Sequence, residues 1–148
     1  MLIYNRFGLI EKVITLNKDV KKYLPRHHLD NFYIEEMLEL TEVEIKPILP
    51  ELLNWTKDMS KAIAQQLIPV LVKNPNALED TIKKILDDDK KDAIWKYNII
   101  FYVIKGFELE NKKNYKETLK RIVTNPNKWE VKYEVSEIAQ RVLDEIED

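Results

Sequence analysis

His27 and His28, with Asp30 and Glu35 close by in the chain, are the side chains that could ligate a metal ion. Adjacent histidines do not share one face of a helix, and catalytic zinc takes three converging protein ligands. A polar connection ahead of a helix is therefore the favoured reading. Asp87-Asp88-Asp89 offers oxygen ligands for calcium, but the EF-hand spacing and its glycine are missing, so a solvated loop is expected. Glu35, Glu36, Glu39, Glu42 and Glu44 could supply a carboxylate pair for acid–base work. With no group converging on them, they read as wet helix faces. The chain has 0 cysteines, which excludes disulfides, thiolate metal sites and cysteine nucleophiles. No nucleophile–base pair stands out, so no catalytic, cofactor-binding or metal residue is nominated and an enzyme is not expected.

Recognition chemistry has more to work with. Trp55, Trp95 and Trp129 could stack on bases or sugars. Trp95 lies among apolar neighbours and reads as core, whereas Trp129 follows a turn and is a candidate partner anchor. Charge is segregated along the chain. Acids dominate between Asp30 and Asp58, and bases dominate between Lys105 and Lys132. Glu35 and Glu39 at one end, and Lys112, Lys113, Lys116 and Lys120 at the other, are the candidate contact charges. Such a dipole could steer a partner or favour head-to-tail self-association. The formal net charge is only -2, so there is no overall basic bias towards nucleic acid.

These residues need elements to hold them, and the composition points to helices. The chain of 148 residues suits a single domain with a sizeable core. Only 2 glycines occur, Gly8 and Gly106, too few for hairpin-rich sheets or glycine-rich phosphate loops. Leu9, Ile10, Val13, Ile14 and Leu16 could line a first helical face. Tyr33, Ile34, Met37, Leu38 and Leu40 suit a short amphipathic helix. Thr41-x-x-Glu44 is a capping box, so a new helix starts there and either kinks or restarts at Pro47 and Pro50. Further helices are expected over 59–73, around Leu78 to Leu86, around Tyr115 to Val123, and from about Trp129 to Glu145, the last with Tyr133, Val135, Ile138, Val142 and Ile146 as candidate inward positions. The densest apolar stretch is Ile94 to Ile104, interrupted only by Lys96 and Asn98. It shows no wholly polar face, so it should be covered on two or more sides. Asp92 or Asp89 could cap its start, and Gly106 is a candidate stop for it. No apolar run approaches the roughly 20 residues that span a bilayer, and the first residues lack a secretory h-region, so a cytoplasmic protein is expected.

A weak internal repeat orders these helices. Lys61, Lys96 and Lys132 recur at intervals of 35 and 36 residues, and Lys96-Tyr97 matches Lys132-Tyr133. Leu52-Leu53, Ile85-Leu86 and Ile122-Val123 recur in the preceding helices. A period of this size with two helices per unit predicts an all-α fold, a short α-solenoid of stacked antiparallel helical hairpins.

Leu24-Pro25-Arg26-His27, the run from Leu40 to Trp55 with its Ile-Lys-Pro-Ile-Leu-Pro-Glu-Leu-Leu core, Asp58-Met59 and Trp95-Lys96-Tyr97 carry a family resemblance. From Leu24 to about Ile104 the chain resembles the DUF5071 family, a bacterial family of unknown function. Ser60-Lys61-Ala62 stands where the family pattern continues Asn-Trp-Pro, so any role of that tryptophan is absent or moved. The resemblance implies a small HEAT-like helical domain, residues 1–24 lying outside it, and no established activity. The function expected is protein–protein interaction through one face of the stack, an immunity-type inhibitor of a bacterial toxin being one form. The alternative is nucleic-acid binding through residues 105–132. No membrane partner is expected.

Overall fold

In the computed structural model, which describes residues 19–147, every regular element among the described residues is helical. Helix α1 spans Ile34–Glu39. Helix α2 covers residues 42–57, with α-helical pieces at Glu42–Ile45 and Leu49–Asn54 and 3-10 turns at Lys46–Ile48 and Trp55–Lys57. Helices α3 and α4 are Ala62–Val72 and Pro75–Leu86. Helix α5 covers residues 93–106 and changes pitch twice: α-helix at Ala93–Asn98, a π turn at Ile99–Val103, and a 3-10 turn at Ile104–Gly106. Helix α6 covers residues 109–124, α7 is Lys128–Lys132 and α8 is Val135–Glu147. The apolar face expected from Leu9 to Leu16 lies outside the described residues.

Local chemistry sets these boundaries. The Thr41 hydroxyl accepts the Glu44 N–H at 3.2 Å and the Glu44 carboxylate accepts the Thr41 N–H at 2.9 Å, closing the capping box that starts α2. Pro47 sits in the 3-10 turn and Pro50 in the first turn of the next piece, where a missing N–H costs little. The Asp92 carboxylate caps α5 by accepting the Ile94 N–H at 2.8 Å. Helix α5 does end at Gly106, but not through a left-handed cap, since no described glycine has a positive φ. Space is the reason: a Cβ there would lie 2.8 Å from Val72 Cγ2 on α3.

The helices bury one continuous core. Helix α1 packs on α3, α2 on α3 and α4, α3 on α5, α5 on α8, and α6 on α8. Side-chain bonds cross between α2, α4 and α6 at nearly constant sequence separation. Asn76 donates to Glu42 (3.2 Å, 34 residues apart), Asn111 to Asn76 (3.3 Å, 35 apart) and Asn114 to Glu79 (2.9 Å, 35 apart). Leu52, Leu53, Leu86 and Ile122, from the recurring apolar pairs, all lie in this core.

Two sequence expectations need correction. In the apolar stretch of α5, Trp95, Ile99, Ile100, Val103 and Ile104 are buried as expected. Lys96 and Asn98 are buried as well, while Ile94, Phe101 and Tyr102 face solvent. The polar side chains lie on the inward face because partners wait for them there, as described below. The final helix is also not continuous. It breaks after Lys132, because Glu134 adopts the left-handed region at φ 64°. The break turns Tyr133, expected inward, to the surface, whereas Val135, Ile138, Val142 and Ile146 are buried on α8 as expected.

Candidate functional site

The short helix α7 is seated by charge. Asn127 caps it, its side-chain oxygen accepting the N–H groups of Trp129 at 3.0 Å and Glu130 at 2.8 Å. The Glu130 carboxylate returns the bond by accepting the Asn127 N–H at 2.9 Å. That carboxylate is fully buried, and Lys96 of α5, whose side chain is also 0% exposed, donates to it at 3.0 Å. Arg121 of α6 grips the same carboxylate with two nitrogens, at 2.6 and 3.0 Å, and donates to the Leu86 carbonyl of α4 at 2.7 Å. One anion thus ties α5, α6 and α7 together. Burial opposes its ionisation, but the bonds from Arg121, the Asn127 amide and Lys96, with the Lys96 charge, outweigh that and hold the Glu130 carboxyl below its ordinary range. The bond to Glu130 in turn raises the proton affinity of the Arg121 guanidinium.

A second buried link holds the other side of α5. The Trp95 indole donates to the Thr56 hydroxyl at 2.9 Å, the hydroxyl donates to the Leu53 carbonyl at 2.6 Å, and Asn98 donates to the Thr56 carbonyl at 2.8 Å. Lys57 Nζ stands 4.4 Å from the Trp95 ring centroid.

With α5 and α7 locked in this way, their outer surfaces are fixed relative to one another. On α7, Trp129 is 45% exposed and stacks on Tyr133 at a centroid distance of 6.4 Å. Lys128 and Lys132 approach the Trp129 ring at 4.8 and 5.4 Å. Val131 is exposed between them. On α5, Tyr97 stacks on Phe101 at 5.8 Å, and Phe101 meets Tyr102 edge-on at 4.8 Å. An open cleft of about 400 Å³ lies between Trp129 and Tyr133 and the loop that enters α5, lined also by Asp89, Lys90, Lys91, Asp92 and Ala93. Asp89 also lines a second cleft of about 580 Å³, walled by Asp87, Glu117, Thr118, Arg121 and Asn127.

The family model described as a domain of unknown function, DUF5071, matches residues 23–143. The chain belongs to the DUF5071 family. The match runs past Ile104, where the sequence resemblance was expected to fade, and takes in α6, α7 and most of α8 of this DUF5071 domain. No curated protein matches the chain.

The DUF5071 chain scatters the residues nominated from its sequence. Trp129 is exposed, as a partner anchor must be. Glu35 and Glu39 are exposed on α1, which packs on α3, so they are not brought to α7. Glu35 lines a separate cleft of about 550 Å³ with Phe32, Gln66 and Pro69. Lys112 bonds to Glu145 at 3.4 Å and Lys113 to Glu110 at 3.3 Å. Lys116 and Lys120 are half-buried with no ion pair among the described residues. Much of the charge segregation is engaged internally: Glu42 accepts the Ala77 N–H at 2.9 Å at the start of α4, and Lys105 meets Glu145 at 3.3 Å. His27 accepts the Leu29 N–H at 3.2 Å, a turn role. Among the described residues no three metal-ligating side chains converge, and no helix is long and apolar enough to cross a membrane.

Lys96, Thr56, Asn98 and Glu130 were not nominated from the sequence. A signal existed for two of them: a lysine and an asparagine inside an otherwise apolar run require buried partners. Asn127-x-x-Glu130 also has capping-box spacing, although it reads first as a turn.

Proposed function

We propose that this DUF5071 chain is a short HEAT-like α-solenoid whose work is binding another protein, without catalysis, through the outer faces of α5 and α7. The solenoid reading is supported by the side-chain bonds that recur 34 or 35 residues apart and by the pairwise packing of alternate helices. The observation that carries the binding role is the exposure of Ile94, Phe101 and Tyr102 on α5 together with Trp129 and Val131 on α7 and Tyr133 at its end, the two helices being joined by the buried Lys96–Glu130 pair. Exposed apolar groups scattered singly need no explanation, but aromatic groups stacked on one another at a rigid surface are what partner anchors are made of. An immunity-type inhibitor of a toxin in the cytoplasm is one form this role takes.

The test is photo-crosslinking in the native host. A benzophenone side chain placed at Phe101 or Val131 should capture one dominant protein, and the same probe at Asp80, exposed on α4, should not. Equal capture at all three positions, or none at Phe101 and Val131, would refute the assignment of this surface. A second reading, nucleic-acid binding, is favoured by Lys128 and Lys132 over the exposed Trp129 ring. It requires retention on single-stranded DNA that falls steeply with salt.

A further inference from the structure

The proposed binding face also carries information about what binds it. Trp129 and Tyr133 form one wall of the 400 Å³ cleft, large enough for an apolar side chain of a partner. Four ammonium groups surround that wall. Lys90 and Lys91 line the cleft, and Lys128 and Lys132 lie over the rings; none of the four has an ion pair among the described residues. The acids at the same place are largely engaged. Asp92 caps α5 through the Ile94 N–H at 2.8 Å, Asp89 accepts from the Asn127 amide at 3.3 Å, and Glu130 is buried between Lys96 and Arg121. Glu134, exposed beside Tyr133 in the break between α7 and α8, is the one negative charge there with no ion pair or side-chain hydrogen bond among the described residues. Across Asp89 the balance reverses, because the neighbouring cleft is walled by Asp87, Asp89 and Glu117 against the single cation Arg121, whose guanidinium is bonded to Glu130.

Resting on the protein-binding reading above, we infer that the occupant of the Trp129–Tyr133 cleft is a protein segment carrying an apolar or aromatic side chain flanked by carboxylates. The apolar group packs on the indole and phenol rings. Its flanking carboxylates draw the lysine ammonium groups from the rings to themselves. The acid-walled cleft next door selects against an extended polyanion, which would have to cross it, and so a short acidic segment of a protein fits better than a nucleic-acid strand.

The inference is tested by selecting binders from a random linear peptide library on the full chain. Synthetic versions are then compared on wild type, Trp129→Ala and Lys128→Gln/Lys132→Gln, with a fluorescent single-stranded oligonucleotide as a parallel probe. Enriched peptides should pair Asp or Glu with Phe, Trp or Leu. They should lose about tenfold in affinity on Trp129→Ala and about threefold on the double lysine variant, the larger loss lying at the central aromatic and the smaller at the charged rim. Because Trp129 and both lysines are exposed, circular dichroism should report unchanged folding in these variants. Basic or uncharged peptides that still need Trp129 would overturn the acidic chemistry and leave the protein-binding surface standing. Peptides indifferent to Trp129→Ala would overturn both. Oligonucleotide binding tighter than any peptide, salt-sensitive and lost on the same variants, would overturn the inference in favour of nucleic acid.

Discussion

Replacing Glu130 by Gln keeps the shape of the side chain and removes the one negative charge between Lys96 and Arg121. The Lys96 side chain is wholly buried, so its ammonium cannot recover water without opening the seam between α5 and α7. The new amide also presents N–H donors to donors. Breaking a buried pair by deleting one partner costs about 3–5 kcal/mol, a large share of the roughly 5–15 kcal/mol that holds a domain of this kind together. Lys96→Met is the informative contrast. Glu130 keeps both Arg121 nitrogens and the Asn127 N–H, so its charge stays compensated and the cost should be under about 2 kcal/mol. Urea unfolding followed by far-ultraviolet circular dichroism reads both, and Glu130→Gln should lower the midpoint by about 2 M at an unchanged slope. The pH dependence follows from the depressed carboxyl. Its stabilisation is complete above the ordinary value of 4.5 and is lost as pH falls through the lower folded value, so the gap between wild type and Glu130→Gln should narrow below that point. A loss under about 1 kcal/mol for Glu130→Gln, or a larger loss for Lys96→Met than for Glu130→Gln, would refute the view that this carboxylate is the hub of the seam.

Three further outcomes are expected. Gly106→Ala forces a methyl against Val72 Cγ2, and overpacking of this kind costs about 1–3 kcal/mol; adding Val72→Ala should make the double variant lose less than the sum of the two single losses in the same urea assay. Thr56→Val preserves volume but strands the Trp95 indole N–H in the core, a loss of about 1–3 kcal/mol, with a shift in Trp95 fluorescence that Thr56→Ser should not produce. The Asp30 carboxyl, which accepts the Arg26 backbone N–H, the Arg26 side chain and the Phe32 N–H, should titrate at about 2 by NMR instead of 3.8, and its stabilisation should be lost only as pH falls through that interval; Arg26→Ala should raise the value only in part, because the backbone bond remains.

The amino-acid sequence determined the helical class, most helix starts, and the side of each long amphipathic helix that faces inward. Those properties are local: capping geometry at Thr41 and Asp92, proline at helix starts, and the spacing of Val135, Ile138, Val142 and Ile146 act within one or two turns of chain. The three lysines that suggested a repeat of 35 and 36 residues are not equivalent, since Lys96 is buried while Lys61 and Lys132 are exposed. Tertiary structure decided what local pattern leaves open. Lys96 and Asn98 look like polar interruptions until Glu130 and Thr56, 34 and 42 residues away, come to meet them. The outward turn of Phe101 and Tyr102, the break at Glu134 and the partnering of Lys105, Lys112 and Arg121 in the basic stretch likewise depend on which helices become neighbours. Whether a buried charge is an error or a clasp is a property of its surroundings, and those surroundings exist only once the chain has folded.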